Sequence, residues 1–356
     1  MTTAASVAFA GAAQAGGIDR SGQGLGFLFE KGSYAELSFG SVSPSISGAT
    51  VGGLVPSGDM ASNYTSLSAA YKQDLSDNLS MGLIVDQPFG AAVNYPTGTG
   101  YYAAGSKADL KTVAITGLLK YTTDTNFSVY GGLRYQTISA TATVPFVGSY
   151  DVIGSSDSGL GYVLGAAWEK PEIALRVSLT YNSKIKHELD TSDSIGGLAY
   201  VNTKTAIDTP QSLNLDFQTG IAKDTLLFGG VRWVDWSAFV IDPPRYPAPN
   251  PLVSYDKDTI SYSLGIGRRL NENWSVAATL GYEAQTKGFS SNLGPNDGYS
   301  SFGLGATYTK GNMKVTAGVR YVDIGDAKTT VGGGVTAANF TSNHAIGAGI
   351  KVGWSF

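Results

Sequence analysis

The sequence predicts an all-β fold: a transmembrane antiparallel β-barrel of about fourteen strands, with a short N-terminal plug segment in the lumen. Segments of roughly ten residues alternate apolar with small or polar side chains, which is the period of a strand. Short turns alternate with longer loops. No run approaches the roughly 18 to 20 apolar residues of a membrane-spanning helix. Only helices and closed barrels span a bilayer, because unpaired backbone groups in hydrocarbon are costly.

The C-terminal segment shows the alternation most clearly. Apolar side chains fall on one face and small or polar ones on the other, as Ile346, Ala348, Ile350, Val352, Trp354 and Phe356 alternate with Gly347, Gly349, Lys351, Gly353 and Ser355. A last strand that ends in Phe resembles the C-terminal signature of exported outer-membrane barrels. Alternation alone would also fit a soluble β-sandwich, whose apolar face points to a core.

The turns and the aromatic residues favour the membrane barrel over the sandwich. Short turns recur at residues 76–78, 122–126, 170–172, 222–224, 271–273 and 310–312. Between them lie longer connections rich in Gly, Pro, Ser and Asp. Aromatic residues stand beside the short turns, where an interfacial girdle is expected, namely Tyr71, Tyr121, Trp168, Trp274 and Tyr308.

These turns divide the chain into about fourteen strands, and an even number places both ends on the periplasmic side. The third, fifth, sixth, seventh and eighth strands are predicted at 79–89, 127–140, 159–169, 173–184 and 209–221. The strands make residues 34–356 one barrel domain. Residues 16–33 are too few to fold alone, and we expect them to enter the lumen as a plug or hatch.

Residues 1–15 fit the apolar core and the Ala13-Gln14-Ala15 cleavage site of a secretory signal peptide. The basic region that usually precedes such a core is missing, so the alternatives are a truncated start or a structured apolar N-terminus. We expect a signal-peptide remnant, and export implies the periplasm or beyond.

Charge and cysteine content exclude several functions. The chain has 24 Lys and Arg against 28 Asp and Glu, with no block of like charge, so we expect no nucleic-acid partner. Cysteine is absent, which removes thiolate nucleophiles and Cys-based metal sites, and we expect no metal and no cofactor. Neither of the two histidines, His187 and His344, accompanies a serine in a nucleophile elbow, so we expect no enzymatic activity.

Four segments are specific as a set, in their order and spacing: residues 35–48, residues 81–96 with the Gln87-Pro88-Phe89-Gly90 step, residues 181–187 and residues 232–237. Together they resemble the FadL-type family of outer-membrane transporters of long-chain fatty acids and aromatic hydrocarbons. The resemblance covers most of the chain. It implies a fourteen-stranded barrel, an N-terminal hatch, an apolar docking site among the outer loops and a sideways exit at a kinked third strand. The Asn-Pro-Ala step usual in that hatch is absent here.

On this resemblance we expect passive transport of hydrophobic small molecules, long-chain fatty acids or hydrocarbons, across the bacterial outer membrane. The expected partners are the ligand, outer-membrane lipid and lipopolysaccharide, and the expected state is a monomer. The alternative is a general or anion-preferring diffusion porin, which would keep a water-filled lumen with a charged constriction.

Pro88 lies inside the predicted third strand. Proline donates no ladder hydrogen bond, so a closed barrel that holds it in mid-strand must open locally. With Asp86, Phe89 and Gly90 it marks a candidate lateral gate through which an apolar ligand would leave the lumen without crossing water. The alternative is a strand that ends at Val85 before a loop.

The eighth residues after four short turns are Asp86, Arg134, Arg232 and Arg320, and the alternation turns all four inward at one height. Three guanidiniums beside a carboxylate could bind a fatty acid head group by charge-assisted hydrogen bonds. The alternative is a network of salt bridges that fills the lumen.

Apolar walls for the ligand tail could come from Phe27, Leu28 and Phe29 of the plug. The outer loops offer two further candidates, Phe146 with Val147 and the segment 239–251. The alternative for the loop residues is that they pack the loops against one another.

Overall fold

A computed structural model describes residues 18–356. Residues 1–15, the predicted signal-peptide remnant, lie outside the described residues. The barrel wall consists of β1 (Tyr34–Ser45), β2 (Tyr64–Asp74), β3 (Leu79–Asp86 and Gly90–Asn94), β4 (Lys107–Thr122), β5 (Phe127–Val144), β6 (Tyr150–Lys170), β7 (Leu175–Asn182 and Ile185–Ser194), β8 (Val201–Thr209 and Ser212–Ala222), β9 (Thr225–Val234), β10 (Thr259–Arg269), β11 (Trp274–Glu283), β12 (Tyr299–Lys310), β13 (Met313–Ile324) and β14 (Asn343–Ser355).

Each strand pairs antiparallel with its neighbours in the chain, and the first strand pairs with the last. Tyr34 of β1 lies opposite Ser355 of β14, and the register runs without a break to Ser45 opposite His344. This pairing closes the wall and removes the sheet edges that hydrocarbon cannot satisfy. The predicted fourteen-stranded barrel is therefore confirmed.

The outward face of the strands is apolar and exposed, as a lipid-facing surface requires. Leu160 and Leu164 of β6 are 63% and 54% exposed, and Val319 of β13 is 55% exposed. The polar partners in the alternation turn inward, and among them Thr116, Ser128 and Thr307 are buried. A soluble sandwich would bury the apolar face instead, so the alternation here belongs to a barrel.

All six predicted short turns connect strands at one end of the barrel. Aromatic residues beside them face outward: Trp274 packs on Tyr308 with ring centroids 5.0 Å apart, and Tyr71 stacks on the terminal Phe356 at 6.1 Å. Trp168 and Tyr121 are also exposed. These side chains form the girdle that is expected at the periplasmic interface.

Several strands differ from their predicted extents. β5 and β6 continue past their predicted outer ends, with a bulge between Ile138 and Ala140, so the third outer loop comprises residues 145–149 only. β7 and β8 also reach farther outward, and each is interrupted once, at residues 183–184 and 210–211. Bulges and breaks shift the alternation by one residue, which hides the outer continuation of a strand from pattern analysis.

The outer ends carry small sheets that cover the lumen. Three short strands, Gly48–Thr50, Ala327–Thr330 and Thr336–Phe340, form one sheet, and Val240–Ile241 pairs with Val253–Ser254 in another. Inside the barrel, residues 18–33 include a 3-10 helix at Gly26–Phe29. Among residues 18–356, no helix is long and apolar enough to cross a membrane.

Candidate functional site

Arg232 binds the N-terminal segment. Its Nε donates to Asp19 Oδ2 at 2.7 Å, and one terminal nitrogen donates to Gln23 Oε1 at 3.2 Å. Its other terminal nitrogen donates to Asn214 and Ser212 on the neighbouring strand β8. Both partners of the ion pair are buried, so each compensates a charge that would be expensive alone. Ligand binding by Arg232 stays a prediction, and its described contacts attach residues 19–23 to the wall.

Arg134 and Asp86 also turn inward, as predicted, and both are buried. Arg134 donates to Thr116 Oγ1 at 2.9 Å and to Asn182 Oδ1 at 3.0 Å. Asp86 Oδ2 accepts a hydrogen bond of 2.6 Å from the hydroxyl of Ser21, a second link between the N-terminal segment and the wall. Its other oxygen, Oδ1, has no hydrogen-bond partner among residues 18–356.

Arg320 has the fewest partners of the three predicted arginines. Its Nε and one terminal nitrogen both donate to Ser301 Oγ, at 3.0 Å and 2.7 Å. No salt bridge to Arg320 is formed within the described part of the chain, and its guanidinium carbon lies 5.6 Å from the centre of the Tyr299 ring. Arg320 lines a cavity of about 350 Å³ in the turn-side half of the lumen, whose wall also includes Arg176, Asp216 and Lys351.

The plug aromatics close the turn-side end of the lumen. Phe27 and Leu28 are buried in an apolar cluster with Ile84, Leu118 and Val163 of the wall. Leu28 fits there because Gly82 has no side chain: an added Cβ would lie 2.4 Å from its Cδ2. These contacts fix the segment in the lumen, and a role of Phe27 and Leu28 in ligand binding stays a prediction.

Phe29 lies between two cations. The Lys120 ammonium is 4.8 Å and the Arg176 guanidinium 4.5 Å from its ring centre, and Tyr130 meets it edge-on at 5.9 Å. Such cation–π contacts hold an aromatic ring in a polar lumen. Phe29 therefore contacts the larger, polar cavity, and its role in ligand binding also stays a prediction.

Strand β3 is broken at Pro88, inside the predicted range. The strand resumes at Gly90 and pairs again with β4, so it does not end at Val85. At the break, Phe89 exchanges both backbone hydrogen bonds with the hydroxyl of Thr112 rather than with a backbone group. Its ring is buried against Trp236, with centroids 5.9 Å apart. Proline and a side-chain acceptor together produce a local kink.

The N-terminal segment pairs with this kink. Asp19 lies opposite Phe89 in an antiparallel bridge, flanked by the bonds Arg20 N to Pro88 O and Gly90 N to Ile18 O, both 2.9 Å. Residues 18–20 thus form a short extra strand inside the barrel, on the edge of β3 that β2 would otherwise occupy.

The wall is incomplete between β2 and β3. Their ladder runs from Asp74 opposite Ser80 to Ala69 opposite Val85, and within residues 18–356 no strand pairs with residues 64–68 of β2 on that side. The side chain of Gln87 accepts the backbone N–H of Leu67 at 3.3 Å, in place of a strand carbonyl. We call this gap, between residues 64–68 and residues 87–90, the side opening.

An apolar cavity lies in the loop-side half of the lumen, and its lining residues on the barrel strands were not among the predicted ones. It has a volume of about 50 Å³, and its lining includes Ile18, Ala91, Leu110, Leu189, Ile207 and Phe239. A second, mostly apolar cavity of about 110 Å³ adjoins the side opening and includes Tyr64, Met60 and Gly90. Ile18 and Ala91 line both cavities, so these two residues separate them.

The sequence does carry a signal for the first cavity. On β4 the outward residues Val113, Ile115 and Leu119 are apolar, but farther out Lys107 and Lys111 face outward and the apolar Leu110 turns inward. The apolar face therefore moves from the outside to the inside of the wall where the strands leave the membrane. Leu189 and Ile207 turn inward in the outer parts of β7 and β8 in the same way.

The outer loops pack over the first cavity. Three residues of the predicted segment 239–251 line this cavity, namely Phe239, Ile241 and Pro243. Phe146 instead packs edge-on against Tyr102 and is not part of the cavity lining. Tyr95 and Tyr102 donate to the backbone and side-chain oxygens of Asn292, tying the second loop to the sixth. Burial raises the pKa of both tyrosines, so they remain donors at neutral pH.

Neither histidine contacts a serine that it could activate as a nucleophile, within residues 18–356. His187 lies between Gln136 and Asp157, with Nδ1 3.3 Å from the carboxylate, and His344 stacks on Tyr321. Among residues 18–356, no group of three or more acidic or histidine side chains could hold a metal ion.

Known proteins share this architecture. A crystal structure of a Pseudomonas aeruginosa FadL homologue superimposes with a TM-score of 0.77 at 15% identity, covering 92% of this chain and 91% of that one. The Ralstonia pickettii toluene transporter TbuX gives 0.65 at 14% identity, covering 92% and 90%, and the P. putida toluene transporter TodX gives 0.66 at 12%, covering 92% and 91%. No curated protein sequence matches the chain.

A family profile also matches the sequence itself, in agreement with the shared fold. The profile described as "Outer membrane protein transport protein (OMPP1/FadL/TodX)" matches residues 35–356, which is the barrel from the second residue of β1 to the end of the chain. The resemblance noted in four segments is thereby confirmed, and with it the outer-membrane location. The chain belongs to the FadL/TodX family of outer-membrane transport proteins.

Proposed function

We propose that the protein carries hydrophobic small molecules through the loop-side half of its lumen and releases them sideways, through the side opening, into the bilayer. The observation that carries this proposal is the row formed by the two apolar cavities and the side opening, with Ile18 and Ala91 between the cavities. Transfer of apolar area out of water, worth about 25 cal/mol per Å², drives the ligand along this row without other energy input.

Residues 18–20 block the row in the described conformation. Each cavity is smaller than the roughly 150 Å³ apolar cavity that accommodates benzene in an engineered protein. A ligand therefore fits only when Ile18 moves and the cavities merge. Because Ile18 belongs to the short strand that pairs with Pro88 and Gly90, we infer that this strand separates from β3 during transport.

Long-chain fatty acids and hydrocarbons both suit such a route. The toluene transporters among the similar structures favour small aromatic hydrocarbons, whereas the inward guanidinium of Arg320 favours a carboxylate. A diffusion porin is less well supported, because apolar side chains from seven or more strands and loops fill the loop-side lumen. Mass spectrometry of lipids extracted from the purified protein would identify the bound class.

A disulfide tests whether the short strand must separate. Asp19 and Phe89 form the closely spaced kind of antiparallel pair, with Cα atoms about 4.5 Å apart, a distance that a disulfide spans. The chain has no cysteine, so Asp19→Cys with Phe89→Cys creates the single possible bridge. We expect the oxidised double variant to take up a labelled fatty acid or toluene at least about tenfold more slowly than the same protein after reduction.

The reduced double variant is the control, because it carries the same substitutions and differs only in the bridge. The single variant Asp19→Cys, treated with the same oxidant, accounts for effects of oxidation elsewhere. Equal uptake by the oxidised and reduced double variants would show that ligands pass without separation of residues 18–20, and the proposed route would then be abandoned.

A further inference from the structure

Arg20 occupies the side opening. Its guanidinium carbon lies 4.0 Å above the centre of the Tyr64 ring on β2. On the other side it covers Gly90 of β3 so closely that an added Cβ would lie 2.6 Å from the same carbon. The guanidinium thus spans the gap between the two strands at the point where their ladder is missing.

The guanidinium lies between the outward face of β3 at Gly90 and the lumen-facing side of β2, because Tyr64 pairs with the buried Val42. Gly90 pairs with Lys111 of β4, whose side chain is exposed on the outer surface, and paired residues point to the same face. The next outward residues toward the turns, Val113 and Ile115, are apolar and exposed. Arg20 therefore sits level with the border between the apolar lipid-facing band and the charged outer rim.

The charge of Arg20 has no direct counterion. Within the described residues 18–356 the guanidinium makes no hydrogen bond and no ion pair, and its contact is the face of Tyr64. The carboxylate whose charge acts on it is Asp109, which is bonded to Lys111 at 2.9 Å. A partly buried cation without a direct partner is costly, and a planar guanidinium favours bidentate pairing with a carboxylate.

We propose that Arg20 is the specificity-determining residue of the side opening and selects amphiphiles that carry a carboxylate over neutral hydrocarbons. This inference rests on the proposed function. The carboxylate of a departing ligand pairs with the guanidinium in place of the Tyr64 ring, while the apolar tail lies in the cavity formed by Met60, Ala92 and Val93. Pairing draws the guanidinium off Tyr64 and unblocks the opening.

The position of Arg20 suits an amphiphile for a second reason. A fatty acid in a bilayer keeps its head group at the polar border and its tail in hydrocarbon, and Arg20 lies at that border. A neutral aliphatic hydrocarbon gains nothing from the guanidinium and must displace it from its contact with the Tyr64 ring. Arg320 lines the same polar cavity as Arg20 and is bonded to Ser301, whereas the contact with the Tyr64 ring is made by Arg20.

The test compares palmitate with methyl palmitate, which differ in charge and hardly in apolar area. Binding to purified full-length protein is measured for wild type, Arg20→Gln and Arg20→Lys, and for Lys310→Gln as a control that removes an exposed cation near a periplasmic turn. We expect Arg20→Gln to weaken palmitate binding about tenfold or more and to leave methyl palmitate binding within about twofold, since a charge-assisted pair is lost. Arg20→Lys should restore part of the preference.

Gly90→Ala provides a second, independent variant. Gly90 has no positive φ, so alanine suits its backbone, but the new methyl group displaces the guanidinium. We expect the same selective loss of palmitate binding, with folding checked by circular dichroism. Equal losses for acid and ester in the Arg20→Gln variant, or no loss for either, would overturn the inference alone. Failure of the wild type to bind either probe would overturn the proposed function with it.

Discussion

At the scale of single residues, the lumen holds two kinds of charged side chain. Arg232 forms an ion pair with Asp19, whereas the described contacts of Arg134 and Arg320 are to neutral groups and that of Arg20 is to the Tyr64 ring. The alternation predicted that Arg134, Arg232 and Arg320 turn inward, since an inward position depends on parity alone. The charge of Arg232 is compensated by Asp19, and Gln23 also binds it. These two residues lie more than 200 positions away in the chain, so the alternation could not predict this pairing.

Ile18 is the residue whose size we expect to limit ligand binding. It is buried and forms part of both apolar cavities. Ile18→Ala merges these cavities without movement of the backbone, so we expect tighter binding of toluene, by about threefold or more, measured by calorimetry on purified protein.

Leu28→Ala is the matched control for that variant. It removes a buried aliphatic side chain from the same segment, but in the turn-side cluster, where no apolar cavity is opened toward the side opening. Its toluene affinity should equal that of the wild type, after its fold has been verified. Weaker binding by Ile18→Ala than by wild type would mean that Ile18 itself contacts the ligand favourably.

At the scale of elements, the kinked strand β3 was predicted from one residue and the structure places its break there. Pro88 cannot join a ladder in mid-strand, so the break had a local cause that the sequence displays. The interruption of β8 contains Pro210, but the interruption of β7 contains no proline. The predicted seventh and eighth strands both stopped near these interruptions and were therefore too short. The pairing of residues 18–20 with β3 was also beyond prediction, because strand partners distant in sequence leave no periodic signal.

Pro88→Ala tests the kink as an element of transport. Alanine supplies a backbone N–H that can join a ladder with β2, so the side opening should narrow and uptake of a hydrophobic substrate should slow several-fold. The barrel should fold normally, because the wall on either side keeps its register. The comparison is Pro171→Ala, a proline at a periplasmic turn far from the opening. If Pro88→Ala takes up the substrate at the wild-type rate, the kink is not required for transport.

At the scale of the whole molecule, composition and periodicity predicted the barrel, its strand number and its orientation. These properties follow from the bilayer, which forces every strand to show the same alternation and every periplasmic turn to be short. The inward apolar residues of the outer strand ends, which line the apolar cavity, escaped prediction for a related reason. The alternation was interpreted as apolar outside along entire strands, and beyond the membrane the physical requirement reverses, as Lys111 and Leu110 show.

The filled lumen leads to a prediction about ions. Apolar residues and outer loops close one half, and residues 25–29 close the other. We expect the purified protein in planar bilayers to give a small steady current, well below that of an open trimeric porin measured in the same membrane and salt. A large, stable conductance per molecule would instead favour the diffusion porin.

The level of the side opening has a consequence for where cargo arrives. The gap lies beside Lys111, near the outward limit of the hydrocarbon-facing surface. On the proposed route, molecules that leave there join the leaflet that faces the environment, and they still have to cross to the inner leaflet by their own diffusion. Such a protein hastens equilibration but accumulates nothing, so net inward flux is set by how fast the cell consumes the compound.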